Sequence, residues 1–208
     1  MSGHGLFISF EGIDGSGKST QARLLAERLR GQGREVVLTR EPGGSAGAEE
    51  IRKLLLNGAG DRWSPETEVL LFTAARRDHL ERVIAPALDR GAVVISDRFI
   101  DSTRVYQGVG RADLRGQVDA LHALMIGCEP DLTVLIDIDP REGLARAAAR
   151  GGDEARFEGF GEGLQARLRA GFLALAKEYP ARFVVIEGAR PPDTVAADVA
   201  RAAEARLA

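Results

Sequence analysis

The sequence predicts an α/β fold in three layers, α/β/α, with a five-stranded parallel sheet between two layers of helices. Three observations lead to this prediction. Short apolar or β-branched segments alternate with longer segments of helical spacing along the chain. A glycine-rich segment joins the first strand to the first helix, and polar residues follow each strand. Because ligands of parallel α/β sheets bind beyond the carboxyl ends of the strands, we expect a binding site there.

The strands are predicted where apolar or β-branched residues run without interruption between turn residues. The run at 92–96 is almost entirely apolar, which is typical of a strand covered on both faces. In chain order, the predicted strands are 6–10, 35–39, 92–96, 132–138 and 183–186. Since helices separate them, the strands are expected to be parallel and joined by crossovers.

The helices are predicted from apolar residues three and four positions apart and from their end signals. Gly31 and Gly33 end the first helix. Ser64 is a capping residue and Pro65 suits the first helical position, while Pro86 is expected to kink or restart the helix that they begin. In chain order, the predicted helices are 19–30, 48–56, 65 to at least 83, 114–125, 140–150, 162–177 and 193–207, the last capped by Asp193.

The composition is that of an ordinary globular protein, and residues 1–208 are interpreted as one domain. No apolar run approaches the roughly 18 residues of a membrane span. The N-terminus lacks the basic and apolar regions of a signal peptide, so we expect a cytoplasmic protein with no membrane partner. A net charge of −3 gives no footprint for a nucleic-acid polymer. The only cysteine, Cys128, excludes an internal disulfide and a cysteine zinc cluster.

The segment from Gly12 to Ser19 has the spelling of a phosphate-binding P-loop, and it lies between a predicted strand and a predicted helix. Its glycines let several N–H groups converge on one anion, and the helix N-terminus favours negative charge. Lys18 is expected to reach the β- and γ-phosphates of a nucleotide, and the Ser19 hydroxyl to complete the shell of a Mg²⁺ ion. The predicted nucleotide-binding residues are Gly12, Asp14, Gly15, Ser16, Gly17, Lys18, Ser19 and Thr20.

Two further arginines indicate a second phosphate. Arg40 and Arg98 follow the second and third strands, where each guanidinium can clamp a phosphate through paired hydrogen bonds. Only three of the 28 basic residues are lysines, so position rather than residue type supports this assignment. A phosphate acceptor needs no general base, because its oxygen is already an anion. Arg150 and Arg156, on a predicted mobile lid at about 146–161, are expected to add charge and exclude water.

The P-loop alone leaves the role of the nucleotide open. A GTPase would carry Asn-Lys-x-Asp after a later strand, and this sequence has no such run. The signature loop of a transporter-type ATPase is not found either. Two alternatives to phosphorylation of a nucleotide remain: a kinase of the same fold with another small-molecule acceptor, and a nucleotide-dependent switch with no acceptor. The switch leaves Arg40 and Arg98 unexplained.

Five stretches of the chain match one family. They are 10–20, 39–44, 72–76, 97–99 and 102–108. Together they resemble the thymidylate kinases (dTMP kinases), P-loop nucleoside monophosphate kinases, and the resemblance covers essentially the whole chain. It implies the P-loop NTPase fold and Mg²⁺-dependent phosphorylation of dTMP to dTDP by ATP, in dTTP biosynthesis. It also implies a homodimer formed through helices beside the sheet, for which 65–88 and 114–125 offer apolar faces.

The resemblance also implies roles for individual residues. Asp14 would accept a hydrogen bond from the sugar 3′-hydroxyl or help to hold Mg²⁺. Tyr106 would occupy the place of a ribose 2′-hydroxyl and so exclude it. Phe72 would stack on thymine, and Arg76 would donate to a ring oxygen. The implied substrate-binding residues are Asp14, Arg40, Pro42, Phe72, Arg76, Arg98, Ser102, Thr103, Tyr106 and Gln107. The implied catalytic residues are Lys18, Arg40, Arg98, Arg150 and Arg156, and the implied metal ligands are Asp14, Ser19 and Asp97.

Among the departures from the usual spelling of the family, two concern the lid, while Phe99 in place of tyrosine and Thr103 in place of serine or asparagine are expected to change little. Gly15 stands where the eukaryotic-type enzymes carry an arginine, which indicates the bacterial type, whose lid supplies that arginine. In the lid, Ala155 precedes Arg156 where Asp-Arg-Phe-Glu is usual. The sequence therefore leaves open whether Arg150 or Arg156 is the catalytic lid residue.

Overall fold

The structure is a computed structural model that describes residues 5–58, 62–111, 113–150 and 162–207, apart from the side chains at 109–111 and 150. Its strands are β1 (Leu6–Glu11), β2 (Val36–Arg40), β3 (Val93–Asp97), β4 (Leu132–Asp137) and β5 (Phe183–Glu187). Its helices are α1 (Lys18–Gly31), α2 (Ala46–Leu56), α3 (Pro65–His79), α4 (Ala85–Asp89), α5 (Ile100–Val105), α6 (Arg115–Met125), α7 (Pro140–Arg150), α8 (Glu162–Glu178) and α9 (Pro192–Leu207). Two π-helical turns lie at Leu80–Ile84 and Tyr106–Arg111.

The five strands form one parallel sheet in the order β2-β3-β1-β4-β5, which confirms the predicted fold class. The register pairs Arg40 with Asp97 and Asp97 with Phe10. The residues that follow β1, β2 and β3 therefore meet at one edge of the sheet. Asp137 pairs with Glu187 at the corresponding end of β4 and β5.

Apolar side chains cover both faces of the sheet, because successive strand residues point to opposite sides. Ile8 and Phe10 pack on the side of α1 and α9, and Phe7 packs on the other side, against the helices between β2 and β4. A third group of buried residues joins α8 to Leu135 of β4. The helix layers on both faces confirm the predicted α/β/α arrangement.

The long third helix is interrupted near the predicted position. α3 ends at His79, the π-helical turn Leu80–Ile84 follows, and α4 continues from it. Pro86 explains the interruption, because it has no N–H for the carbonyl four residues earlier and its ring crowds that carbonyl. The predicted start is confirmed, since Ser64 Oγ accepts a hydrogen bond of 3.2 Å from the N–H of Thr67.

Two local predictions differ from the structure. The sequence predicts no helix between β3 and α6, but α5 and the second π-helical turn lie there. Asp101, Thr103 and Arg104 are buried in α5 through polar contacts, so the apolar spacing that marks a helix is missing. The prediction that Asp193 caps the last helix is wrong, because α9 begins at Pro192 and Asp193 lies in its first turn. Within the described residues, none of the helices has the length and apolar character needed to cross a membrane.

Candidate active site

The P-loop forms the turn between β1 and α1. Gly12, Gly15 and Gly17 have φ angles of +143°, +75° and +93°, which residues with a Cβ atom rarely adopt. Gly15 also packs directly on the backbone of Gly143 in α7, where a Cβ atom would overlap the Gly143 carbonyl group. α7 thus occupies the space that a side chain at position 15 would need.

Lys18 is the first residue of α1, and only 7% of it is exposed. Its Nζ donates to the carbonyl of Ile13 at 3.4 Å and lies 3.7 Å from the carboxylate of Asp14. Burial lowers the pKa of Lys18, the nearby Arg98 adds to this, and Asp14 acts in the opposite direction. An anion gains more from an ammonium group in such a buried position than it would in water.

Arg98 links the end of β3 to the P-loop. Its φ of +71° is uncommon for a residue with a Cβ atom, and such conformations concentrate at functional sites. The guanidinium pairs with Asp14 at 2.5 Å and donates to the Ser102 hydroxyl at 3.0 Å and to the Gly12 carbonyl at 3.3 Å. The guanidinium carbon lies 5.2 Å from the ring centre of Tyr106. Although burial opposes it, Arg98 is the main neighbour that lowers the pKa of Asp14.

Glu11 supports Arg98 from beneath. It is fully buried at the end of β1, and its carboxylate accepts hydrogen bonds from the N–H of Phe99 at 2.8 Å and from the hydroxyl of Ser102 at 2.6 Å. Burial is the main cause that raises the pKa of Glu11 to about 7, and the carboxylate of Asp101 adds to it, while Arg98 opposes it. The Ser102 hydroxyl therefore connects a buried carboxyl group to the Arg98 guanidinium.

This burial predicts a pH-dependent stability. Because the pKa of Glu11 rises from 4.5 to about 7 on folding, the unfolded chain loses the proton first as pH increases. The free energy of unfolding should therefore fall by roughly 3 kcal/mol between pH 4.5 and 7 on account of this group. Denaturant titrations across this range should show that Glu11→Gln lacks this loss relative to the unsubstituted protein. Parallel pH profiles for the two proteins would contradict the assignment.

A second group of predicted residues lies between α3 and α5. Arg76, 2% exposed, donates from Nη2 to the Thr103 hydroxyl at 3.0 Å. Phe72 is half-buried one turn earlier in α3. Gln107 is buried and its amide nitrogen lies 3.4 Å from the Glu68 carboxylate. The structure thus brings together an aromatic ring and several polar groups of the kind that recognise a base.

Arg40 makes its hydrogen bonds outside the Arg98 cluster. It is exposed, and its Nη2 lies 3.1 Å from both carboxylate oxygens of Glu49. Pro42 is two residues later in the sequence, and its carbonyl accepts a hydrogen bond of 2.7 Å from Arg52. The structure therefore brings Arg98, but not Arg40, to the P-loop aspartate, and the role of Arg40 in acceptor binding stays a prediction.

The remaining predicted residues fall into three groups. Ser16 and Asp97 each have a buried side-chain oxygen for which the described residues provide no hydrogen-bond partner. Ser19 and Thr20 are exposed in the first turn of α1. Arg156, the side chain of Arg150 and most of the predicted lid lie outside the described residues.

Sequence reasoning missed several residues of this site. Glu11 ends β1 and Glu41 directly follows β2, and their place inside matched stretches was the available signal. Glu41 accepts a hydrogen bond of 2.7 Å from Arg76 Nε and lies 3.2 Å from Nδ1 of His79, which is on the same side of α3 as Arg76. Gln165 of α8 is 1% exposed and its amide lies near Asp14, where it helps to lower the pKa of that carboxylate. No feature of the sequence marked Gln165, because α8 is recognisable only by its apolar spacing.

This site matches a known family. The family model described as thymidylate kinase matches residues 10–199. The chain belongs to the thymidylate kinase family. It is 71% identical over 199 residues to a thymidylate kinase of Ruegeria pomeroyi, covering 96% of this chain and 94% of that protein. It is 66% identical to a thymidylate kinase of Dinoroseobacter shibae, with 96% of each chain covered.

A solved structure agrees with these relatives. The crystal structure of thymidylate kinase from Ehrlichia chaffeensis superimposes with a TM-score of 0.78 at 38% identity, covering 96% of this chain and 98% of that one. The resemblance to bacterial thymidylate kinases and the P-loop fold are thereby confirmed. Thymidylate kinases phosphorylate dTMP to dTDP with ATP as the phosphoryl donor, and this is the activity of the family to which the chain belongs.

Proposed function

We propose that this chain transfers the γ-phosphoryl group of Mg²⁺-bound ATP to the 5′-phosphate of dTMP, a step toward dTTP, through the residues of the site described above. One observation carries this proposal. Asp14 lies 3.7 Å from Lys18 of the P-loop and 2.5 Å from Arg98, so one carboxylate separates the nucleotide-phosphate cation from a second phosphate-binding cation. Two phosphates bound to these cations would be neighbours.

The chemistry requires positioning and charge neutralisation. The acceptor oxygen is already anionic, so no side chain has to remove a proton. In the proposal, Arg98 binds the acceptor phosphate, Lys18 neutralises the β- and γ-phosphates, and Arg150 or Arg156 adds charge from the lid. Arg40 is a further candidate for the acceptor phosphate, provided that it leaves Glu49.

Recognition of the acceptor would use the second group of residues. Phe72 stacks on thymine and Arg76 donates to a carbonyl oxygen of the base, with Thr103 and Gln107 beside it. Tyr106, whose ring lies against Arg98, excludes a ribose 2′-hydroxyl. In this arrangement Asp14 faces the sugar and accepts a hydrogen bond from its 3′-hydroxyl.

The site suits Mg²⁺. The described residues contain no cluster of three or more His, Cys, Asp or Glu side chains for a metal, but Mg²⁺ usually keeps several waters and needs few protein ligands beside phosphates. Asp97 offers a buried carboxylate oxygen without a hydrogen-bond partner among the described residues, and Ser19 an exposed hydroxyl. Asp97 and Ser19 would hold the ion, which when bound would supply positive charge to neutralise the transferring phosphates. Asp14 is a weaker candidate, because two cations already pair with it.

A coupled assay with dTMP, dUMP, dCMP and UMP tests the proposal. We expect dTMP to be the best acceptor and chelation of Mg²⁺ to abolish turnover. Faster turnover of dCMP or UMP than of dTMP would contradict the base and sugar assignments. ATP binding without acceptor-stimulated turnover would favour a switch. A kinase with a different small acceptor would retain nearly full activity in Arg76→Ala.

The proposal includes a homodimer and a cytoplasmic location. Leu70 of α3, Leu124 and Met125 of α6 are exposed apolar side chains on helices that border one another. Their joint burial in a symmetric interface would remove this surface from water. Sedimentation should give twice the 22.3 kDa mass of the chain, and Leu124→Glu should reduce it to one chain.

The cytoplasmic location is proposed because charged nucleotides do not cross membranes unaided.

A further inference from the structure

Four side chains, of which Glu41, Arg76 and His79 are buried and Thr39 is partly exposed, form a continuous hydrogen-bonded chain that ends at Arg76. Thr39 Oγ1 lies 2.7 Å from His79 Nε2, and His79 Nδ1 lies 3.2 Å from Glu41 Oε1. The other carboxylate oxygen of Glu41 accepts from Arg76 Nε at 2.7 Å. His79 is 0% exposed and Glu41 6% exposed. The proposed chemistry uses only Arg76, so Thr39, His79 and Glu41 have no role in it.

The donors and acceptors of this chain are mutually consistent. A carboxylate only accepts, so the hydrogen of His79 must be on Nδ1 in the contact with Glu41. In a neutral ring Nε2 is then the acceptor for the Thr39 hydroxyl. The charges of Arg76 and Glu41 balance each other in this mostly buried region.

Two hydrogen bonds and one ring contact hold the guanidinium of Arg76. Glu41 holds Nε, the Thr103 hydroxyl holds Nη2 at 3.0 Å, and the guanidinium carbon lies 5.1 Å from the Phe99 ring centre. Among the described residues, nothing accepts a hydrogen bond from Nη1. A planar group fixed on three sides presents that donor with little loss of side-chain entropy on binding.

The turn after β2 packs closely against the hydrogen-bonded side chains of Thr39 and His79. Gly44 has a φ of +89°, and a Cβ atom there would overlap His79 Nε2 and Thr39 Oγ1. The backbone of this turn therefore packs directly against the Thr39–His79 contact.

We propose that His79, together with Thr39 and Glu41, is a positioning residue that fixes Arg76 for its contact with the acceptor base and so sets the discrimination between thymine and cytosine. The inference rests on the proposed function, because it needs Arg76 to read the base. Thymine presents a carbonyl acceptor where cytosine presents an amino donor. A fixed N–H donor favours the first and opposes the second, whereas a mobile guanidinium discriminates less.

Two single variants test this inference by the ratio of kcat/KM for dTMP to that for dCMP. Thr39→Val should lower this ratio about 3- to 10-fold, the effect of one hydrogen bond. His79→Gln should lower it by about 10-fold or more, mainly through a higher KM for dTMP, because it disturbs both contacts. The matched control is Thr133→Val, which removes a buried hydroxyl from β4. This hydroxyl contacts Ser9 and Arg182 and makes no hydrogen bond to Thr39, His79, Glu41 or Arg76. The control should lower stability and leave the ratio unchanged.

A double-mutant cycle separates positioning from a general loss of stability. In an Arg76→Ala background, His79→Gln should no longer change the ratio, because Arg76 is the group through which His79 acts. Independent effects of the two substitutions, an unchanged ratio in Thr39→Val, or an equal loss in Thr133→Val would overturn the inference. If the unsubstituted protein does not phosphorylate dTMP, the proposed function fails and the inference fails with it. Normal dTMP turnover with unchanged ratios removes the inference alone.

Discussion

Replacing Arg98 with alanine is expected to lower kcat/KM for dTMP by roughly 10²- to 10⁴-fold, because the charge-assisted hydrogen bonds proposed between its guanidinium and the acceptor phosphate are lost. The lost guanidinium is the group that contacts Asp14 at 2.5 Å and is proposed to bind the acceptor phosphate. Steady-state kinetics should assign most of the effect to dTMP and little to the KM for ATP.

Two further variants make this test specific. Arg98→Lys should recover only part of the loss, because an ammonium group cannot reproduce paired guanidinium–phosphate hydrogen bonds. Arg182→Ala removes another partly buried arginine, one that pairs with Asp101 at 2.6 Å, and should reduce stability without a comparable change in KM for dTMP. An Arg98→Ala enzyme within tenfold of the unsubstituted kcat/KM for dTMP would refute the assignment.

The second large effect is expected at Lys18. Lys18→Ala should lower kcat by about 10³-fold or more, because a preorganised charge near the transferring group is worth several kcal/mol in a site that excludes water. Lys18→Arg should be nearly as inactive, since the side chain is 9% exposed and the Ile13 carbonyl and Asp14 border its end.

Single-turnover measurements with saturating ATP would separate chemistry from binding for this variant. Lys177→Ala is the matched control, because Lys177 is exposed in the last turn of α8. It should behave as the unsubstituted protein does. Retention of more than a tenth of kcat by Lys18→Ala would show that the P-loop lysine is not needed for phosphoryl transfer here.

Predictions from the sequence were most accurate where the signal is local. The five strands, most helix bounds and the Ser64 cap could be predicted because side-chain periodicity and capping residues act over a few positions. The interruption of the third helix near Pro86 could be predicted in the same way, although its π-helical form could not. α5 could not be predicted, because Asp101 and Arg104 are buried by ion pairs with distant residues rather than by apolar spacing.

For the site as well, local sequence patterns indicated the residues, whereas their contacts depend on the fold. The P-loop spelling indicated a nucleotide phosphate site, and the matched stretches named the family and most of the residues that meet at the sheet edge. The partners of those residues followed only from strand order. β3 lies beside β1, and this brings Arg98 to Asp14 across 84 positions and the Ser102 hydroxyl to Glu11 across 91.

The structure also changed how single residues are interpreted. Arg40 and Arg98 looked equivalent as arginines after strands, yet one pairs with Glu49 at the surface and the other with the P-loop aspartate. No sequence pattern marks His79. In the fold it lies at the centre of the hydrogen bonds that connect Thr39 to Glu41 and hold Arg76. Local patterns report which residues a segment contains and how it is shaped. Contacts between segments depend on how strands are ordered and helices packed, which no short stretch of sequence encodes.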